Sequence, residues 1–110
     1  MNKKLKAKWI KALLSGEYVQ GKEYLRRRAG GSTPTKYCCL GVLCEISGAK
    51  WERKANVWGF TLPSGTFVAN DETEIIGNEY GLTYSASDYA ELNDDGDTFK
   101  DIAKIIRQGE

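Results

Sequence analysis

Between Tyr37 and Ile46 the chain reads YCCLGVLCEI, and the apolar side chains Tyr37, Cys38, Cys39, Leu40, Val42, Leu43, Cys44 and Ile46 cover nearly the whole circumference of a helix. A helix without a polar face has to be wrapped by the rest of its domain. Length favours helix over a buried strand, as do Thr35 as an N-cap and Ser47-Gly48 as a stop. The predicted central helix therefore runs from Lys36 to Ser47. Gly41, which has no side chain, permits a second backbone to come close.

With 110 residues the chain forms one domain, 1–110, around one core. Leu5, Trp9, Ile10, Leu13 and Leu14 recur at helical spacing, opposite Lys3, Lys4, Lys8 and Lys11, so Lys3 to Leu14 is an amphipathic helix stopped by Ser15-Gly16. Residues 16–28 lack a clean period and are expected to form an irregular arm with a short helical or extended turn. Residues 29–35, AGGSTPT, are expected to be a loop. Val57 to Leu62 and Thr66 to Val68 flank Pro63-Ser64-Gly65 and predict a short β-hairpin. A short helix ended at Gly77, or a loop, is expected over residues 70–80, and a second short helix, Asp88 to Asn93, after Ser87. Asn93 to Asp97 reads as a turn, and Thr98 with Asp101 as a capping box opening a C-terminal helix. The expected class is α+β: a single small domain, mainly helical, with an N-terminal amphipathic helix, a buried central helix, a C-terminal helix and a short β-hairpin.

The three cysteines invite a catalytic or metal reading, which the rest of the composition opposes. No histidine is present, so Cys-His and Ser-His-Asp chemistry are unavailable. Three clustered thiols do not close a four-ligand zinc site. They read as core packing, and an odd number of them fits a reducing compartment. Set on a calcium-loop template with Gly96 sixth, the acidic turn places Ile102 at the position that needs a bidentate carboxylate. Neither catalysis nor a cofactor is expected. Lysines interrupt the N-terminal segment and no apolar run is long enough to span a bilayer, so the expectation is a cytoplasmic protein without a membrane partner.

Charge is split along the chain. Residues 1–55 hold thirteen basic and four acidic side chains, a net of +9, and residues 56–110 hold three basic and eleven acidic, a net of −8. The strongest candidate site lies in the basic half. Arg26, Arg27 and Arg28 lead into Gly30, Gly31, Ser32 and Thr33, and a helix is expected to open at Lys36. Guanidinium forks match phosphate oxygens, and loop amides beside a helix N-terminus form an anion site. Tyr24 and Trp51 are placed to stack on a base. A Walker A loop would have glycine directly before Lys36, and this chain does not, so nucleotide hydrolysis is not implied.

The segments WIKALLSGEYVQGKEYLR, YCCLGVLCE and LNDDGDTFKDIAKII together resemble a family of small, largely uncharacterised proteins of bacteriophages and bacteria. The resemblance implies a phage or prophage setting and the cytoplasm of a host. In that setting the residues are expected to make a non-catalytic binding protein that disarms a host defence by sequestering a phosphate-bearing ligand such as a nucleotide immune signal. Two alternatives are an acidic surface that competes for a host defence protein, and nucleic-acid binding by the basic half. A homo-oligomer joining basic to acidic halves is compatible with the charge split.

Overall fold

A computed structural model describes residues 1–28 and 30–110; Ala29, the first residue of the expected loop, lies outside them. Helix α1 (Lys3–Leu14) opens where the Asn2 side chain accepts the Leu5 N–H at 3.0 Å and closes at Ser15, after which Gly16 turns the chain with φ 80°. Its apolar stripe buries Trp9 and Leu13.

Two strands form within the expected arm. β1 (Val19–Gln20) pairs parallel to β3 (Lys36–Tyr37), and β2 (Arg26–Arg27) pairs antiparallel to β3 on its other side. Lys36 and Tyr37 therefore do not begin the central helix, as the sequence predicts, but form the middle strand of a sheet. Helix α2 (Cys39–Ile46) starts later, with Cys38 as its cap: the Cys38 backbone is extended and its Sγ accepts the Gly41 N–H at 3.4 Å. A hydroxyl cap contributes about 1 kcal/mol, less than ladder bonds on both edges of β3, and the non-local pairing prevails over the Thr35 signal.

A second sheet is built from β4 (Lys50–Lys54), β5 (Val57–Thr61) and β6 (Phe67–Ala69), antiparallel and in that order. β5 and β6 are the expected hairpin. β4 was illegible because KWERK has one apolar residue and no alternation; Ala55 and Asn56, both at positive φ, make the two-residue turn that joins it to β5. The remaining helices are α3 (Glu74–Tyr80), α4 (Ala86–Asp94) and α5 (Phe99–Gly109). α3 runs through Gly77 and stops at Gly81, whose φ of 62° is the left-handed cap. α4 is capped by Ser85 rather than Ser87, and α5 by the expected Thr98–Asp101 box.

The result is a helix-rich α+β fold with α2 at its centre, buried from Cys38 to Cys44. α1 and α4 pack on α2, and α5 packs on α1 and α4. Cys39, the first residue of α2, is gripped from three sides. Its carbonyl accepts the Trp9 Nε1–H at 2.9 Å, its N–H donates to Asn93 Oδ1 at 3.2 Å, and its thiol faces the Tyr89 carbonyl at 3.6 Å. Trp9 meets Tyr89 edge to face, with ring centres 5.4 Å apart.

Asn93 is the one buried polar side chain among the described residues, a burial that its place at the junction of an expected helix and turn did not signal. Sitting in the last turn of α4, it donates Nδ2 to the Gly21 carbonyl at 2.7 Å and accepts at Oδ1 from Gln20 Nε2 at 2.9 Å as well as from Cys39. Gln20 continues the network by donating to the Asp97 carbonyl at 2.7 Å and accepting the Phe99 N–H at 3.0 Å. One amide thus ties β1, α2 and α4 together, and Gln20 adds the start of α5.

Gly41 serves the close approach its sequence position allows. A Cβ there would lie 1.7 Å from the Leu25 carbonyl oxygen, which also accepts the Cys38 N–H at 3.2 Å. Gly41→Ala is expected to force β2 away from α2 and to lower the urea-unfolding free energy by about 3 kcal/mol, the upper end for overpacking. Asn93→Leu is expected to cost about as much, because it strands the Gly21 carbonyl and the Cys39 amide in the interior. A loss under about 1 kcal/mol for either variant would show that the contact does not hold the domain together.

At the other end of α5, Glu110 Oε1 accepts the Thr83 N–H at 2.8 Å, while Oε2 accepts the Tyr84 N–H at 3.0 Å and the Tyr89 hydroxyl at 2.8 Å. Burial alone pushes this carboxyl up, but the two amides and the phenol together outweigh it and hold it below the ordinary glutamate value. A carboxyl lowered in the folded state stabilises fully above its unfolded pKa of about 4.3, and that stabilisation disappears as pH falls through the lower folded value. Comparing unfolding of the native chain and Glu110→Gln from neutral to acid pH is expected to show a gap that is constant near neutrality and closes below about pH 4. A gap independent of pH would overturn this role.

Candidate functional site

β2 is held against the second sheet by Asn70, which directly follows β6 and behaves as an extra strand. Its Nδ2 donates to the Arg26 carbonyl at 2.7 Å and its Oδ1 accepts the Arg26 N–H at 2.9 Å. Its backbone carbonyl accepts the Leu25 N–H at 2.8 Å, and its N–H donates to the Trp58 carbonyl at 3.0 Å. This clamp opens a cleft of about 250 Å³ between β2 and the β4–β5 hairpin, lined by Tyr24, Arg26, Arg27, Arg28, Trp51, Trp58 and Asn70.

Register explains why the aromatic residues meet here. Trp51 lies opposite Phe60, and Arg53 opposite Trp58, so all four share one face of the sheet. Towards Phe60 and Val68 that face is core; towards the Ala55–Asn56 turn it overhangs the domain, leaving Trp58 40% exposed. Trp51 and Trp58 stack with centres 5.5 Å apart and planes 13° from parallel. The Arg26 guanidinium lies 4.9 Å from the Trp51 ring centre and 5.9 Å from that of Tyr37. Arg28 lies 6.0 Å from Trp58, and Arg27 lies 5.4 Å from Tyr24. Burial and the Glu45 carboxylate push the Tyr37 phenol up, with Arg26 acting in the opposite sense, so Tyr37 offers a neutral ring.

None of the three guanidiniums has a carboxylate partner: the ion pair among the described residues is Lys54–Glu52, at 4.0 Å. Arg26 Nε is buried without a hydrogen-bond partner among the described residues. Rings attract these cations by about 0.5–1 kcal/mol at exposed sites, and a guanidinium has five N–H donors in its plane that a ring face does not use. The cleft therefore concentrates positive charge, with one buried unpartnered donor at Arg26 Nε, next to flat apolar surfaces. Asp and Glu are absent from its lining.

Five of the sequence-predicted residues, Tyr24, Arg26, Arg27, Arg28 and Trp51, come together in this cleft. The expected glycine cradle does not join them. Gly30 and Thr33 bond to each other, Thr33 N–H to Gly30 O at 2.9 Å and Gly30 N–H to Thr33 O at 3.3 Å, around an exposed turn containing Gly31 and Ser32. Those two amides are spent. The α2 N-terminus is also unavailable, since it is buried and capped by Cys38. Lys36 lies outside the cleft lining, opposite Arg27 in the β2–β3 register. Sequence reasoning missed Trp58 and Asn70. Strand alternation places Trp58 on the same face as Phe60 and was a usable signal; Asn70 had none, because its role is a backbone clamp between segments distant in the chain.

The thiols stand apart from this chemistry. Cys38, Cys39 and Cys44 are free and buried, and burial pushes all three up, Cys38 to about 11. Thiolate is the reactive form, so the native protein is expected to resist iodoacetamide at pH 8 while the urea-unfolded chain takes up three labels by mass spectrometry. Rapid labelling of the native fold would overturn the packing role. Among the described residues no group of His, Cys, Asp or Glu is placed to hold a metal ion, and no helix is long and apolar enough to cross a membrane.

No curated protein and no solved structure matches the chain. A family model does match, over residues 1–76, a span that contains α1, α2, both sheets and every residue lining the cleft. The chain belongs to that family, described as a domain of unknown function, DUF8296.

Proposed function

We propose that this chain is a non-catalytic binding protein whose cleft captures a phosphate-bearing ligand with an aromatic ring, a nucleotide being the class that fits. One observation carries the reading: Arg26, Arg27 and Arg28 converge on one cleft with no carboxylate in its lining, each beside an aromatic ring. Three neighbouring cations repel one another, and a polyanion relieves that repulsion while its oxygens take the free N–H donors. Trp58 and Tyr24, partly exposed in the same cleft, offer a flat surface to a base. In the phage or prophage setting that the sequence resemblance implies, such capture would remove a nucleotide signal from a host defence pathway in the cytoplasm.

Isothermal titration against nucleoside mono-, di- and triphosphates and inorganic phosphate tests the proposal. Nucleotides are expected to bind more tightly than phosphate alone, and affinity is expected to rise with phosphate number. Arg27→Ala and Arg28→Ala, both at exposed positions, are each expected to weaken binding about tenfold or more, the loss for a hydrogen bond between charged groups. Absence of heat with every nucleotide, or affinity unchanged in both variants, would overturn the reading.

A further inference from the structure

We infer that the cleft is one station on a single-stranded nucleic-acid track, which takes a stretch of linked nucleotides rather than one free nucleotide. The inference rests on the proposed nucleotide site and narrows its ligand class.

The size of the cleft is the first reason. At about 250 Å³ it falls below the roughly 300–1,000 Å³ of pockets that enclose a small molecule. Its principal stacking surface, Trp58, lies on the central strand of the second sheet close to the Ala55–Asn56 turn, and 40% of it faces solvent. A base laid on such a surface has a free edge along which its sugar and phosphates continue.

Cations beyond the cleft supply the second reason. Arg53 is opposite Trp58 in the β4–β5 register, so it flanks the stacking ring on the same face, and its Nη2 is held by Asn56 Oδ1 at 2.7 Å. On the other flank, Arg27 lies 5.4 Å from the Tyr24 ring centre. Arg53, Arg28 and Arg27 thus mark a positive path from the β4–β5 hairpin to β2, with Trp58 and Tyr24 beside it. None of the three has a carboxylate partner among the described residues. A mononucleotide reaches only the middle of this path; a strand with successive phosphates reaches its length. Alternation of ring faces with cations is the arrangement that tracks single strands without base-specific contacts. A duplex keeps its bases stacked on one another and cannot use the rings.

Fluorescence anisotropy with oligothymidine and oligouridine strands about ten nucleotides long, competed by thymidine and uridine monophosphates and by a mixed-sequence duplex, tests this on the whole chain. Expected are single strands bound at least tenfold more tightly than either monophosphate, quenching of tryptophan emission, and weaker binding of the duplex. If three phosphates are contacted, log K is expected to fall with log salt with a slope of about −2. Trp58→Ala is expected to weaken the strand about five- to a hundredfold, with Trp58→Phe recovering most of it. Arg53→Gln is expected to weaken the strand several-fold and monophosphate binding by a smaller factor. Circular dichroism identical to the native chain reports that each variant is folded.

Single strands bound no more tightly than the monophosphates would overturn the track and leave the nucleotide site standing. Loss of binding to strand and nucleotide alike would overturn both. Equal affinity for duplex and single strand, insensitive to Trp58→Ala, would overturn the stacking role. Equal binding of the DNA and RNA strands supports recognition through rings and phosphates; tighter binding of the RNA strand supports the track with an added contact to the 2′-hydroxyl.

Discussion

A single buried amide holds the interior of this protein in register. Asn93 is enclosed between β1, α2 and α4, and its oxygen and nitrogen together meet Gly21, Gln20 and Cys39. Removing a peptide-like amide from water costs several kcal/mol unless its hydrogen bonds are restored, so these segments are fixed relative to one another or the amide is unsatisfied. Apolar packing alone would tolerate sliding of α2 within its sheath, since every residue from Cys39 to Cys44 is buried and apolar. The polar contact at its first residue, with Trp9 donating from the opposite side, selects one position.

That position is also what creates the cleft. With α2 fixed, Gly41 admits the Leu25 carbonyl, and β2 is drawn against the core. Asn70 then secures the outer edge of β2 to the second sheet. Leu25 points into the core at 1% exposure, whereas Arg26, Arg27 and Arg28 emerge beside Trp51, Tyr24 and Trp58 respectively. The cationic cleft is therefore a consequence of two close backbone approaches, one to a glycine and one to an asparagine side chain. Its side chains are held mainly by rings, which orient a guanidinium while leaving its donors free, in contrast to an ion pair, which would consume them.

The long periodic elements were legible in the chain. α1 and α5 carry a helical stripe between clear caps, and α2 is apolar enough to require the centre of the fold, so their existence and burial follow from local pattern. β3 and β4 were not legible. Lys36 and Tyr37 are extended because β1 and β2 pair with them, and KWERK is a strand because β5 lies beside it. Two-residue strands and strands without alternation have no local signature. The candidate site divides the same way: the run of arginines and two of its aromatic neighbours could be read from residue type, but the glycine loop that follows them in sequence turns back on itself and takes no part.

Composition and order of residues by themselves determined an apolar central segment that had to be enclosed, thiols without a histidine partner, and a basic first half opposed to an acidic second half. These follow from properties that each residue carries wherever it is placed. Tertiary structure alone decided that Asn93 would be an interior clamp, that Trp58 and Asn70 would meet the arginines, and that Lys36 would sit in a strand. The reason is that hydrogen-bond partners and ring contacts separated by tens of residues are set by distance in space, and neither propensity nor periodicity encodes that distance.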